Sequence, residues 1–258
     1  MMSMLGMIEV TDSSGTFTWM LYLFEKYWNM FLKGTWVTLY VAVVGTLLGF
    51  LLGYLIGIIK DIKLNKQDGM IKRAIIYLLK GISTVYVEIF RGTPMIVQGM
   101  IIYYGLRQCG VDISSAVAGI LVTVLNTGAY MAETVRAGIN SIDPGQKEGA
   151  LAMGMSPVSA MFHVIMPQAI RNITPEMCNT FLTNLKMTSV LNVIGVSELF
   201  LVAKTAGGTY YKYFESYLVI AVIYFILCFV FNRIFLWVEK KMSGQKAYVL
   251  AIEYMENE

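Results

Sequence analysis

The chain has 258 residues, of which 57% are hydrophobic and 14% charged, and its formal net charge is +3. A soluble domain carries about 25% charged residues, so this composition belongs with integral membrane proteins, and so small a positive excess does not point to nucleic acid. Cys109, Cys178 and Cys228 stand far apart with no CxxC or metal-binding spacing and are expected to be small apolar packers. No internal repeat or low-complexity tract is visible.

The N-terminal stretch lacks the basic, apolar and small-residue cleavage pattern of a secretory signal. Phe17 to Leu32 is instead aromatic and amphipathic, with Trp19, Tyr22, Tyr27 and Trp28. Such rings prefer the headgroup level, so residues 1–32 are expected to form a segment lying on the membrane surface.

Crossing the hydrocarbon core takes about 20 apolar residues. Trp36 to Ile59 is uncharged throughout and is the clearest span. The next apolar stretch, Ala74 to Leu106, is interrupted by Arg91-Gly92-Thr93-Pro94. Pro94 lacks an N–H and must break the helix there. A structural break and a gate or hinge are both open readings of it. Glu88, three residues before Arg91, is placed to pair with it inside the membrane.

Ile113 to Ala132 is a further uncharged run. Asn126, Tyr130 and Glu133 share one helical face on it and just beyond its end. Charged groups in a span cost about 2.5–3.5 kcal/mol on insertion scales and so face the bundle interior. Arg136 follows Glu133 at i+3, so Glu133 either belongs to a helix-locking ion pair or serves transport. Ile173 to Ala203 carries a matching stripe of Asn179, Thr183 and Lys186, with Thr180 and Asn184 beside it. Amides and hydroxyls near the midplane supply donors for a carboxylate and acceptors for an ammonium. A path for a zwitterionic solute is therefore expected between these two spans, lined by Asn126, Tyr130, Glu133, Asn179, Thr180 and Thr183. Tyr217 to Phe231 continues apolar to Trp237 apart from Arg233, which brings the number of spans to about five. The fold class is all-α integral membrane.

Lys60, Lys63, Lys66, Lys72 and Arg73 in one loop, and Arg233, Lys240, Lys241 and Lys246 near the C-terminus, place both regions in the cytoplasm under the positive-inside rule. The N-terminus is then outside, and the 139–167 connection is cytoplasmic.

That connection contains DPGQKEGALAMGMSPVSAMFHVIMP at 143–167. Asp143 then Pro144 is a helix start, with Gln146 in the capping-box position. Gly154 suits a left-handed helix end. Ser156-Pro157 starts a second helix expected to run to about Met166, before Pro167. An elbow with Ala and Met at its surface fits a groove on another protein, although capping alone leaves an ordinary loop equally open. His163, the only histidine, is expected to have an ordinary packed or interfacial role.

The stretch resembles the EAA loop of bacterial ABC-importer permeases: EAA, three residues, Gly, nine residues, Ile-x-Leu-Pro. Glu148, Ala150, Gly154 and Pro167 fall on that spacing, while Gly149, Val164 and Met166 replace alanine, isoleucine and leucine. VEIFRGTPMIVQGMIIYYGL (87–106), ETVRAGINSIDPGQ (133–146), MPQAIRNITPEMCNTFLTNLKMTSV (166–190) and YYKYFESYLVI are similar to the polar amino-acid uptake branch of that family. The resemblance covers about residues 30–240 in order.

It implies the type I importer transmembrane domain over 33–242, with a cytoplasmic tail at 243–258. It makes 143–167 the coupling helix, with Asp143, Glu148, Gly149, Ala150, Gly154 and Pro167 docking on a cytoplasmic ATPase. It also implies two ATPase copies carrying ATP and Mg, a second permease subunit (identical or related), an extracytoplasmic amino-acid-binding protein, and the bacterial inner membrane as location. Relatives resembling cationic amino-acid permeases often carry an acidic residue after the asparagine matching Asn179. Thr180 stands there, which favours a neutral polar ligand. Met187 replaces a common aspartate, so the resemblance assigns Lys186 no role.

The chain has no Gly-x-x-x-x-Gly-Lys-[Ser/Thr], HExxH or GxSxG motif. No catalytic residue, metal site or bound cofactor is expected on it, and its energy must come from a partner or an ion gradient. The competing functions are a gradient-driven secondary transporter, whose kind is generally built from internal repeats with more spans, and an intramembrane enzyme.

Overall fold

A computed structural model describes residues 10–11, 14–62, 64 and 69–242. Lys63, Lys66 and the 243–258 tail lie outside the described residues. Among those described, the chain is helical throughout and contains no strand.

Helix α1 (Thr16–Lys26) stops at Tyr27, and α2 (Trp28–Asp61) begins at the next residue. The expected surface helix through Leu32 is thus shorter than predicted. Tyr27, at φ −104° and ψ 15°, leaves helical geometry, and residues 28–32 join the first long helix. An aromatic clasp fixes α1. Trp19 is buried against the Tyr22 and Tyr210 rings, and Lys26 donates to both tyrosine hydroxyls.

Helix α3 (Met70–Gly92) and α4 (Met95–Gln108) meet at the Thr93–Pro94 break. Helix α5 (Ser115–Asn140) is capped by Ser114, whose hydroxyl accepts from the Val117 N–H at 3.3 Å. The helix runs past the predicted end at Ala132. Helix α8 (Met166–Met187) continues as a 3₁₀ segment (Thr188–Ile194) to Gly195, whose φ of +82° ends the run. Helix α9 (Leu199–Tyr210) then leaves at 55° to the 157–194 run, a bend not expected in the 173–203 stretch, where Lys186 is the interruption read from the sequence. The bend needs the left-handed backbone at Gly195, which glycine adopts without a Cβ clash. Helix α10 (Tyr213–Met242) closes the fold.

Three of these helices, α2, α5 and α10, are each long and apolar enough to cross a membrane, and the bent α8–α9 run is a fourth candidate. The remaining predicted span is the α3–α4 pair. Lys72, Arg73, Lys80, Glu88 and Arg91 make α3 too charged to qualify on composition.

The core is built on α2 and α5. Gly45, Gly49, Gly53 and Gly57 lie against Thr123, Thr127, Met131 and Val135 in turn, so the two helices run parallel at backbone contact. Small residues let helices approach closely, which is where dispersion binds them in lipid. The parallel register puts the loop after Asp61 and the connection after Asn140 at the same end.

Helix α8 is tied to this pair by Asn184. Its buried Nδ2 donates to Thr46 Oγ1 at 2.7 Å and Thr127 Oγ1 at 2.8 Å. Interhelical bonds of this kind measure about 0.6 kcal/mol on average and up to ~1.7 in bilayers. Asn184→Ala loses two of them and opens a void, so the detergent-solubilised protein is expected to unfold with a midpoint several degrees lower. An unchanged midpoint would contradict this role.

The cysteines differ from one another. Cys178 is buried and Cys228 half-buried, but Cys109 is exposed, because it caps α4 at a surface turn.

Candidate functional site

The elbow is assembled as its capping residues dictate. Asp143 Oδ1 accepts from the Gly145 N–H at 2.7 Å, and α6 (Pro144–Ala152) follows. Gly154, at φ +86°, closes it. Its N–H reaches Leu151 O at 2.9 Å, and the Met155 N–H reaches Ala150 O at 3.1 Å. These are the two bonds of a Schellman end. Ser156 then caps α7 (Pro157–Ala160), its hydroxyl accepting from the Ser159 N–H at 3.2 Å.

Two details depart from expectation. Gln146 does not complete a capping box, because its Oε1 accepts from Gln168 Nε2 on α8 at 3.3 Å. Pro167 ends no helix either. Helix α7 passes through a π-turn (Met161–Ile165) straight into α8. A proline ring crowds the carbonyl four residues back, and a widened turn relieves that crowding. The elbow is therefore hinged at Gly154 and continuous with α8. Of its predicted docking residues, Ala150 faces inward, while Asp143, Glu148, Gly149, Gly154 and Pro167 are exposed. Leu151, Met153, Val158 and Phe162 add exposed apolar surface, Met153 at 84%.

The second assembly lies between α5 and α8. A cavity of about 370 Å³ is lined by all six predicted path residues, Asn126, Tyr130, Glu133, Asn179, Thr180 and Thr183, together with Arg91 and Glu176. Lys186 is not among its lining residues.

The polar groups divide sharply by what they already hold. Asn126 Nδ2 donates to Gln98 Oε1 at 3.0 Å, and Glu133 accepts from Arg136 Nη2 at 2.9 Å and from Lys60. The predicted Glu133–Arg136 pair is thus present, with Lys60 of α2 as a third member. The predicted Glu88–Arg91 pair is not made. The Arg91 guanidinium instead lies 5.5 Å from the centre of the Tyr130 ring, which α5 brings beside it. Among the described residues, the side chains of Asn179, Thr180, Thr183 and Glu176 and the Tyr130 hydroxyl make no hydrogen bond. They remain available to a solute.

Residues 77–244 match the family described as "Binding-protein-dependent transport system inner membrane component". The chain belongs to this family. It is the membrane component of a transport system whose ATP hydrolysis is carried by a separate subunit. It is 39% identical over 178 residues to the probable amino-acid ABC transporter permease protein PatM of Vibrio harveyi, covering 67% of this chain and 78% of that one. It is 38% identical over 164 residues to the arginine transport system permease protein ArtQ of Bacillus subtilis, covering 63% and 75%. The crystal structure of an amino acid ABC transporter with histidines superposes with a TM-score of 0.74 at 36% identity, over 84% of this chain and 95% of that one.

Several residues on which this permease fold depends escape sequence reasoning. The Gly45–Gly57 stripe was readable as a four-residue small-residue repeat. Glu198 was not. It lies fully buried, Oε2 accepting from the Phe200 N–H at 2.8 Å and the Tyr224 hydroxyl at 3.0 Å, and Oε1 from the Leu201 N–H at 2.9 Å. A carboxylate beside an apolar helix start reads as an ordinary cap. Only the fold shows that this one also ties α9 to α10.

Proposed function

We propose that this permease passes a polar amino acid through the α5–α8 cavity. The carrying observation is that one cavity gathers the Asn179 amide, the Tyr130, Thr180 and Thr183 hydroxyls and the Glu176 carboxylate, with none of these five groups engaged elsewhere among the described residues. Asn179, Thr180 and Thr183 offer donors and acceptors, and Glu176 suits an ammonium. The volume falls in the range of small-molecule sites, about 300–1,000 Å³. The amino-acid substrates named for PatM and ArtQ support this reading, and Thr180 favours a neutral side chain.

In this reading the chain pairs with a second permease subunit, identical or related. Two ATPases carrying ATP and Mg seat on the elbows, and an extracytoplasmic binding protein delivers the amino acid. The loop after Asp61 and the elbow share one end, and the C-terminus of α10 lies near the start of α8, with Ile170 and Met242 lining one cavity. That end carries Lys60, Lys72, Arg73, Lys240 and Lys241, which supports a cytoplasmic C-terminus and an outer N-terminus.

The test is uptake by proteoliposomes holding permease, ATPase and binding protein, supplied with labelled arginine, histidine or glutamine. ATP-dependent accumulation of at least one is expected. The double change Asn179→Leu, Thr183→Val is expected to cut its rate about thirtyfold, since two neutral hydrogen bonds at ~1 kcal/mol each are removed. Accumulation of none of the common amino acids would overturn the assignment.

A further inference from the structure

The α5–α8 cavity has a neighbour. A second cavity, of about 540 Å³, is lined by Lys60, Thr84, Glu88 and Gly92, and it shares Arg91, Tyr130 and Glu133 with the first. These three residues are the wall between the two. Glu133 is held by Lys60 and Arg136, whereas Arg91 makes no hydrogen bond or ion pair among the described residues and rests on the Tyr130 face alone. A guanidinium stacked on a ring keeps its edge donors free, and that edge matches a carboxylate with two parallel hydrogen bonds.

Arg91 is held in this position by its surroundings. The break at Pro94 strips the Phe90 and Thr93 carbonyls of helical partners, which is costly inside a membrane. Buried Gln98 supplies them. Its Nε2 donates to Phe90 O, Thr93 O and Thr93 Oγ1, each at 2.9 Å, and its Oε1 accepts from Asn126 Nδ2. Asn126 Nδ2 also lies 3.4 Å from Phe90 O. The backbone is thereby stitched on both sides of Arg91, and the stitch is anchored to α5, the helix that carries Tyr130.

We propose that Arg91 receives the α-carboxylate of the transported amino acid at the partition between the two cavities, and that Gln98 is the positioning residue that holds it there. The proposal rests on the amino-acid reading of the cavity. A carboxylate arriving beside Tyr130 gains a charged, two-pronged partner. The ammonium of the same molecule is left to Glu176 and the amide and hydroxyl groups of α8.

The test is equilibrium binding of labelled arginine, histidine and glutamine to the purified permease–ATPase complex without binding protein, alongside the proteoliposome uptake described above. Wild type is expected to bind at least one of the three. Arg91→Gln is expected to weaken that binding about tenfold or more, with Arg91→Lys between the two because it keeps the charge and loses the fork. Gln98→Met, which removes the donors at similar volume, is expected to weaken binding in the same direction without touching the ligand. It should also speed amide hydrogen exchange only within residues 88–98 and α5, which the Gln98 bonds hold together. Unchanged affinity in Arg91→Gln, or loss of a subunit from the complex in both Arg91 variants, would overturn the proposal. So would wild-type uptake without detectable binding, and this result would leave the amino-acid function standing. Failure of wild-type uptake for every amino acid would remove that function and this proposal together.

Discussion

Gly53→Val is expected to remove most of the folded protein from detergent extracts of expressing membranes, and Gly53→Ala to lower the unfolding midpoint by about 5 °C or more. A Cβ at Gly53 would stand 2.5 Å from Met131 Cβ, 2.8 Å from Gly128 O and 3.0 Å from Ala132 N. Two of these atoms are backbone, so no rotamer change relieves the clash and α2 must move off α5. Overpacking a well-packed core costs about 1–3 kcal/mol, and in a protein of this size each kcal/mol moves the midpoint by about 2–4 °C. Valine adds two methyl groups to a gap that cannot take one. Gly81→Ala on α3 is the matched control. Its Cβ would meet nothing within 4 Å, and the midpoint is expected to stay level or rise slightly. Equal effects at the two glycines would show that helix propensity, not the α2–α5 seam, sets stability here.

The second large effect is functional. Gly154→Val is expected to abolish ATP-driven uptake and amino-acid-stimulated ATP hydrolysis while the chain still accumulates folded in the membrane. At φ +86° a β-branched residue is strained, although open space surrounds its Cβ. The penalty therefore falls on the backbone of the elbow. Relief of that strain turns α7, and with it the exposed Val158 and Phe162, away from its angle to α6, on whose C-terminal end the exposed Met153 stays. Gly154→Asn separates geometry from bulk, because asparagine tolerates the left-handed region. It is expected to keep most of the coupling. If Val and Asn behave alike, the turn is not what matters.

The elbow was the most legible part of the sequence because capping is local. Asp143, Pro144, Gly154, Ser156 and Pro157 act within a few residues of themselves, and each sits in the structure where that chemistry puts it. Prediction failed where a distant partner intervened. Gln146 turns to Gln168 because α8 passes beside it, and Arg91 turns to Tyr130 rather than Glu88 because α5 brings that ring beside it.

The path residues were readable as two polar stripes at helical spacing, and the fold does bring all six to one cavity. What the sequence could not distinguish was occupation. Asn126, Asn184 and Asn179 look alike as letters. Yet Asn126 braces a helix break, Asn184 locks α2, α5 and α8 together, and only Asn179 is left free. The α9 bend was missed for a related reason, since Gly195 is a single glycine in an apolar run and nothing nearby announces a turn.

The central claim is that this chain moves an amino acid only when a separate ATPase acts on its elbow. The most direct measurement is uptake of labelled arginine, histidine and glutamine into proteoliposomes with binding protein and ATPase present. ATP should be supplied to or withheld from the ATPase side, with ion gradients collapsed throughout. The account predicts accumulation that requires ATP and disappears in Gly154→Val. Accumulation that persists without ATP and follows an imposed proton or sodium gradient would contradict it and identify the chain as a self-sufficient secondary transporter.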